Sequence, residues 1–86
     1  MDIHQSALRH GATEPDIIHA LDNALVLVDL EPDADPPKLL VIGPDMAGNL
    51  LELILLELVN DALLVIHAMP LRPKFHDLLP EPGDQP

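Results

Sequence analysis

The amino-acid sequence predicts one α+β domain, in which one or two N-terminal helices pack on a four-stranded, mostly antiparallel sheet. Apolar residues recur at helical spacing near the N-terminus, whereas from residue 25 onward they form short aliphatic runs that turn residues separate. The length of 86 residues is enough for a single modest core. We therefore assign residues 1–79 to one domain and expect residues 80–86, which offer little to bury, to form a disordered tail.

The first quarter of the chain is expected to hold one or two helices. The first spans residues 3–10 and ends at Gly11, because glycine readily adopts the left-handed conformation with which helices stop. The second follows Thr13, a good N-cap residue, and places Pro15 and the Asp16 carboxylate in its first turn, where both are favourable. Its apolar stripe consists of Ile17, Ile18, Leu21, Ala24 and Leu25.

The four predicted strands comprise residues 25–30, 38–42, 50–59 and 63–69. The prolines of the acidic loop 31–37 keep that loop out of the sheet, and Asn60-Asp61 is short enough to join the last two strands as a hairpin. Pro70 ends the fourth strand, and a short C-terminal helical turn is expected near residues 73–79.

Both faces of this sheet should be covered, because its later strands are almost continuously aliphatic rather than alternating. The helices can cover one face. The other face needs a second copy of the chain or a partner, since large exposed apolar patches usually mark interaction sites. We therefore expect a homodimer or a hetero-oligomer.

The charge of the chain restricts its partners. Acidic residues outnumber Lys and Arg by 15 to 4, which gives a formal net charge of −11. This balance argues against broad contact with a phosphate backbone, which needs many cations, and suits a basic protein partner better. Alternatively, the surplus acid serves to keep a Leu-rich domain soluble.

The sequence favours a cytoplasmic location. Cysteine is absent, which excludes disulfide bonds and thiolate metal sites and is consistent with a reducing compartment. The first residues lack the basic and apolar regions of a signal peptide. No apolar run approaches the roughly 18 residues that a membrane span needs, so we expect no membrane association.

The most informative segment is residues 63–75, where an apolar strand ends in His67, Arg72 and Lys74. Arg72 and Lys74 are two of only 4 cationic Lys and Arg residues in the chain. Cations concentrated in this way in an acidic protein mark a place where an anionic substrate or an acidic partner can be bound.

The register of the last hairpin decides what lies near His67. If the hairpin is centred on Asn60-Asp61, Glu52 lies opposite Met69 and Ile54 lies opposite His67, so that Glu52 and His67 share one face. A shift of one residue would place Glu52 and His67 on opposite faces.

On the favourable register a carboxylate, an imidazole and two cations converge at one end of the sheet. Such a set can cleave RNA, because that reaction needs a base for the 2′-hydroxyl, an acid for the leaving oxygen and cations for the phosphorane charge. The alternative is structural. In that case His67 is partly buried and bonded to backbone, while Arg72 and Lys74 pair with nearby carboxylates.

No metal and no cofactor are expected. The spacing of His4, His10 and His19 matches no metal-binding motif. The segment 43–49 has two glycines and an aspartate but lacks the Lys and the Ser or Thr of a P-loop, so it is interpreted as a shaped turn.

Several segments resemble a known family of small actinobacterial toxins. They are Arg9-His10-Gly11, Glu14-Pro-Asp-Ile-Ile-His-Ala, Val41-Ile-Gly-Pro-Asp-Met-Ala-Gly-Asn-Leu-Leu-Glu and Val65-Ile-His-Ala-Met-Pro-Leu-Arg-Pro-Lys-Phe. More distantly the chain is similar to the BrnT-like toxins of type II toxin–antitoxin systems, whose fold resembles that of RelE ribonucleases. The resemblance covers roughly residues 9–79.

The resemblance implies a ribonuclease that inhibits translation and is neutralised by an antitoxin encoded nearby, of the ribbon-helix-helix or helix-turn-helix type. By position, His67, Arg72 and Lys74 correspond to the basic segment at a strand end that carries activity in BrnT-like proteins. Glu52 and His10 are further candidate catalytic residues.

Two hypotheses therefore stand. In the first, the protein is a metal-independent ribonuclease toxin in which His67 is the acid or base, Arg72 and Lys74 bind the phosphate, and Glu52 orients His67. In the second, it is a non-catalytic interaction domain, either a decayed toxin or a regulatory subunit. Its acidic and aliphatic surface would then bind a basic partner and a second copy.

Overall fold

The fold is α+β and is built on a five-stranded mixed sheet. The computed structural model describes residues 1–80, so the predicted tail lies, apart from Pro80, outside the described residues. The strands are β1 (Asp2–Ile3), β2 (Val26–Glu31), β3 (Lys38–Pro44), β4 (Leu50–Glu57) and β5 (Leu63–Pro70), and the α-helix is α1 (Glu14–Asp22). Short 3-10 helices occupy Gln5–Leu8, Val59–Asp61 and Pro73–Leu78. No helix within residues 1–80 is long and apolar enough to cross a membrane.

The sheet has five strands rather than the predicted four. Strands β2 to β5 form the expected antiparallel meander, and the strand order is β1-β5-β4-β3-β2. The additional strand β1 pairs in parallel with β5, with Ile3 opposite Val65. The prediction of four strands was wrong because β1 is too short to show a period of two in the sequence.

The first helix predicted over residues 3–10 is present only as a short 3-10 helix. Its start is taken by β1, and the His4 amide continues the pairing by donating to the Val65 carbonyl at 2.8 Å. Only Gln5–Leu8 is helical, as a 3-10 turn whose N-terminus the His4 side chain caps through the Ser6 amide. The helical pattern of this segment is weak, so pairing with the open edge of β5 determines the conformation of its first residues.

The predicted helix after Thr13 is confirmed as α1. The Thr13 hydroxyl accepts from the Asp16 amide and the Asp16 carboxylate accepts from the Thr13 amide, both at 3.3 Å, which completes a capping box. Ile17 and Ala20 are fully buried, whereas Ile18 remains half exposed, so the apolar stripe is narrower than predicted. The helix ends at Asp22, and Asn23 caps it by donating its backbone N–H to the His19 carbonyl at 3.0 Å.

α1 lies very close to β3. A Cβ atom at position 43 would collide with the carbonyl oxygen of Ala20, so glycine is required at Gly43 for this approach. The face of the sheet under α1, here called the helix face, holds the main core. Its buried members are Ala7, Ile17, Ala20, Val41, Leu51, Leu53, Leu55, Val65 and Ala68.

The opposite face, here called the site face, is also buried at its centre. Leu40, Ile42 and Glu52 are fully buried there, and cross-strand pairing places all three on one side of β3 and β4. The continuous aliphatic pattern of the strands correctly indicated burial on both sides. That a second copy or a partner covers part of the sheet stays a prediction.

The register of the β4–β5 hairpin is confirmed. Glu52 lies opposite Met69 and Ile54 lies opposite His67. Asn60 and Asp61 form the turn with φ of 62° and 60°, a left-handed conformation that Asn and Asp tolerate better than most residues. Beyond His67 the register shifts by one residue, which leaves a bulge at Ile66.

Candidate functional site

Glu52 is a charged residue in the centre of an aliphatic sheet. Its side chain is 0% exposed, and its cross-strand neighbours on the site face are Ile42 and Met69. Burying a carboxylate in such surroundings is costly unless partners compensate its charge. The surroundings of Glu52 supply these partners from the segment that follows β5.

Arg72 is the main partner of Glu52. Its Nη2 donates to Oε2 at 2.6 Å, and its Nε lies 3.0 Å from Oε1 and 3.1 Å from Oε2. The backbone amide of Arg72 also donates to Oε1, at 3.0 Å. The Leu71 amide donates to the Leu50 carbonyl at 3.0 Å, which holds the chain at the sheet end so that Arg72 folds over the site face.

The Glu52 carboxylate is held in its ionised form. Burial by itself raises the pKa of Glu52, but hydrogen bonds from the Arg72 side chain and backbone and from His67 outweigh it, so the pKa lies below its usual value. The same contact raises the pKa of Arg72 above its usual value. The pair therefore remains fully charged at neutral pH.

Glu52 also sets the orientation of His67. Nε2 of His67 lies 3.0 Å from Glu52 Oε2. Because the carboxylate carries no proton, the hydrogen of this bond belongs to Nε2, and the neutral imidazole then has its lone pair on Nδ1. Within residues 1–80 Nδ1 has no hydrogen-bond partner, and the His67 side chain is 22% exposed, so solvent or a ligand can reach it.

His10 is brought beside His67 from the N-terminal segment. The two ring centroids are 5.8 Å apart at an interplanar angle of 62°. The 3-10 helix before His10 is fixed on β5 because Ala7 is buried and the Ser6 hydroxyl donates to the Ile66 carbonyl at 2.6 Å. His10 itself is exposed. Two imidazoles thus meet at the surface, one of them oriented by a buried carboxylate.

Lys74 lies on the same segment but makes a different contact. Its Nζ is 4.9 Å from the centre of the Phe75 ring, and Arg72 Cζ is 5.7 Å from that centre, so two cations flank one aromatic ring. Lys74 forms no salt bridge within residues 1–80. Sequence reasoning did not select Phe75. Two features of the sequence could have indicated Phe75: it follows Arg72 by three residues, and it is the sole Phe, Tyr or Trp residue of the chain.

Most of the candidate residues therefore come together. Glu52, His67, Arg72 and His10 form one contiguous cluster, and Lys74 adjoins it through Phe75. The structural alternative is met only in part, because Arg72 does pair with a carboxylate, whereas His67 bonds to Glu52 rather than to backbone. The arrangement can accept a proton on His67, exchange one at His10 and attract an anion through the outer part of Arg72.

The turn at residues 43–49 is tied to α1 and has few amides left for a ligand. Asp45 Oδ1 accepts from the amides of Ala47 and Asn49 at 2.9 and 2.8 Å. Asp16 Oδ1 accepts from the Met46 amide at 3.0 Å, and hydrogen bonds from the Met46 amide, the Thr13 side chain and the Thr13 amide keep the pKa of Asp16 below its usual value. No group of His, Cys, Asp and Glu residues that could hold a metal occurs among the described residues.

Comparison of the chain with protein-family models, with curated proteins and with solved structures finds no match. What can be inferred about function therefore comes from the cluster itself and from the resemblance noted in the sequence.

Proposed function

We propose that the protein is a metal-independent endoribonuclease that acts as the toxin of a type II toxin–antitoxin system. The observation that carries this proposal is the orientation of His67 by the buried Glu52 carboxylate, with the free Nδ1 and the neighbouring His10 at the surface. An oriented imidazole beside a second imidazole supplies the base and the acid that RNA cleavage needs without a metal.

In the proposed reaction, Nδ1 of His67 takes the proton of a ribose 2′-hydroxyl, and the 2′-oxygen forms a bond to the adjacent phosphorus. The bond from phosphorus to the 5′-oxygen breaks, and that oxygen receives a proton from protonated His10. The products are a 2′,3′-cyclic phosphate and a 5′-hydroxyl. The outer face of Arg72 and the Lys74 ammonium stabilise the charge that develops on the phosphorane.

The distribution of cations supports this reading despite the net charge of −11. Of the 4 Lys and Arg residues, Arg72 and Lys74 lie on the segment after β5, and Arg9 directly precedes His10. Lys38 is the exception and pairs with Glu31 at 3.6 Å. The basic residues are thus concentrated in the two segments that form the site, which limits RNA contact to this region.

The test is cleavage of a labelled RNA in the presence of a chelator by the purified protein and by two single variants, His67→Ala and His10→Ala. We expect the wild type to cleave and each variant to lose about a hundredfold or more in rate, the usual contribution of acid–base catalysis. His76→Ala is the matched control, because His76 is exposed on the same C-terminal segment and its side chain has no hydrogen bond or ring contact with Glu52, His67 or His10 within residues 1–80.

Cleavage that survives in His67→Ala at the level of His76→Ala would exclude this site as its source. The companion measurement is growth and RNA integrity in a bacterial host after induction of the chain alone. We expect growth arrest that co-expression of an adjacent ribbon-helix-helix or helix-turn-helix antitoxin relieves. The proposed location of action is the cytoplasm.

The second candidate function is a non-catalytic interaction domain that binds a basic partner. It is favoured by apolar side chains that stay exposed on an acidic protein, among them Leu27 at 65% and Val59 at 82%. An intact, folded wild-type protein that cleaves no RNA would leave this candidate in place of the first.

A further inference from the structure

An open apolar groove lies on the helix face of the sheet, beside the end of α1. Its volume is about 220 Å³, and it is lined by Met1, Leu21, Ala24, Leu27, Leu39, Val41, Leu55 and Leu63. The groove continues the main core outward to the solvent, because Val41 and Leu55 belong to both. α1 therefore covers only part of the helix face.

The rim of this groove is acidic. Asp29 lies opposite Leu39 and Glu57 lies opposite Leu63, so both carboxylates are on the helix face next to lining residues. Both acids are exposed, and neither has a salt-bridge partner within residues 1–80. An apolar floor with uncompensated carboxylates around it is complementary to an apolar stripe flanked by cations.

We infer that this groove binds a basic amphipathic helix of a protein partner. The groove is smaller than the roughly 300–1,000 Å³ of typical small-molecule pockets, so it suits a few apolar side chains better than a cofactor. The groove lies on a face of the sheet and not at its edge. On a face, an extended segment would find no backbone hydrogen-bond partners. A helix satisfies its own backbone and can present Leu or Ile inward and Lys or Arg to the rim.

This partner site is separate from the proposed catalytic cluster. Leu55 belongs to the groove, whereas its neighbour Ile54 and the catalytic candidate Glu52 point to the other side of β4. The inference therefore goes beyond the proposed ribonuclease activity and does not depend on it. Binding in the groove can be measured whether or not the protein cleaves RNA.

The experiment uses a fluorescent helical peptide of about 18 residues, with Leu at the i, i+3, i+4 and i+7 positions and Lys elsewhere. We expect it to bind the full chain in an anisotropy titration, and Leu27→Ser to weaken binding about fivefold or more. Met46→Ser is the matched control, since Met46 and Leu27 are both 65% exposed and only Leu27 lines the groove. Neither substitution changes the charge.

The rim is tested with Asp29→Asn/Glu57→Gln against Glu14→Gln/Asp77→Asn, a pair of exposed acids that do not border the groove. We expect only the first double variant to lower the affinity for the peptide. In that variant the affinity should also depend less on salt concentration than in the wild type. Equal affinity for all four variants, or equal binding of a sequence-scrambled peptide, would show attraction to net charge alone and overturn the inference. A wild-type dimer that Leu27→Ser dissociates would assign the groove to a second copy instead.

Discussion

Glu52→Gln is expected to destabilise the fold by about 2 kcal/mol, because the buried carboxylate accepts hydrogen bonds from Arg72 and His67. An amide at this position replaces one acceptor oxygen by a donor. If the amide nitrogen takes the place of Oε2, His67 can change its tautomer and accept a hydrogen bond from that nitrogen through Nε2. Nη2 of Arg72, in contrast, loses its charged acceptor. A hydrogen bond to a charged group contributes about 1.5–3 kcal/mol. The loss here lies in the lower part of that range, because the Arg72 side chain is 40% exposed and water can partly replace the lost acceptor.

This loss is large for a protein of this size, whose total stability is expected to be about 4–13 kcal/mol. It corresponds to a decrease of about 8–16 °C in Tm. Trp and Tyr are absent, so unfolding by heat and by urea is followed by far-UV circular dichroism. Glu57→Gln is the matched control on the same strand, and because Glu57 is exposed its effect should stay within about 0.5 kcal/mol. A Glu52→Gln effect no larger than this control would refute the assigned hydrogen-bond network.

The pH dependence provides an independent check on the same residue. Because the pKa of Glu52 is lower in the folded than in the unfolded protein, its contribution is complete above the unfolded value of about 4.3. It is lost as the pH falls through the folded pKa. The gap in stability between wild type and Glu52→Gln should therefore be constant near neutral pH and narrow in acid. A gap that is unchanged down to about pH 3 would contradict an ionised Glu52.

Further expectations concern the ring of His67 and the residues at positions 43, 13 and 61. In nitrogen NMR spectra, neutral His67 of the wild type should carry its proton on Nε2, and in Glu52→Gln the ring should shift toward the tautomer with the proton on Nδ1. Equal His67 spectra in the two proteins would contradict the contact between Nε2 and Glu52. Gly43→Ala should cost about 1–3 kcal/mol in urea unfolding, because its methyl group collides with α1. Thr13→Ala should cost about 1 kcal/mol in the same assay through loss of the N-cap. Asp61→Gly should instead raise Tm, since φ at position 61 is 60°, and a decrease would argue against the left-handed turn.

The hairpin that carries the site could be predicted in part, because the determinants of its turn are local. Asn60 and Asp61 suit a tight turn, but the pairing next to it, Glu57 with Leu63, is offset by one residue from the predicted register. The bulge at Ile66 removes this offset, so that Ile54 lies opposite His67 and Glu52 shares a face with His67. The pairing of Arg72 with Glu52 follows from the same register, since Arg72 comes just after the strand end. The sequence therefore predicted the hairpin and the face that Glu52 and His67 share, but not the bulge at Ile66 on which this shared face depends.

The position of His10 next to His67 could not be derived in this way. It depends on the parallel pairing of β1 with β5, in which Ile3 meets a residue more than sixty positions away along the chain. Such a contact has no local signature, and the segment around it has a weak helical pattern that suggested the wrong element. His10 was a candidate from the resemblance alone, and only the tertiary structure brings it into the cluster.

A buried carboxylate is not the residue that stability alone would favour at the centre of this sheet. Ile42 on β3 and Ile54 on β4 show that aliphatic side chains are accommodated on the site face, and a buried ion pair is often no more stabilising than apolar residues of similar volume. A leucine at position 52 would need neither Arg72 nor His67 as a partner. What Glu52 adds that leucine cannot is an anchor for Arg72 and an imidazole held through Nε2, and the second of these is what the proposed chemistry at His67 requires.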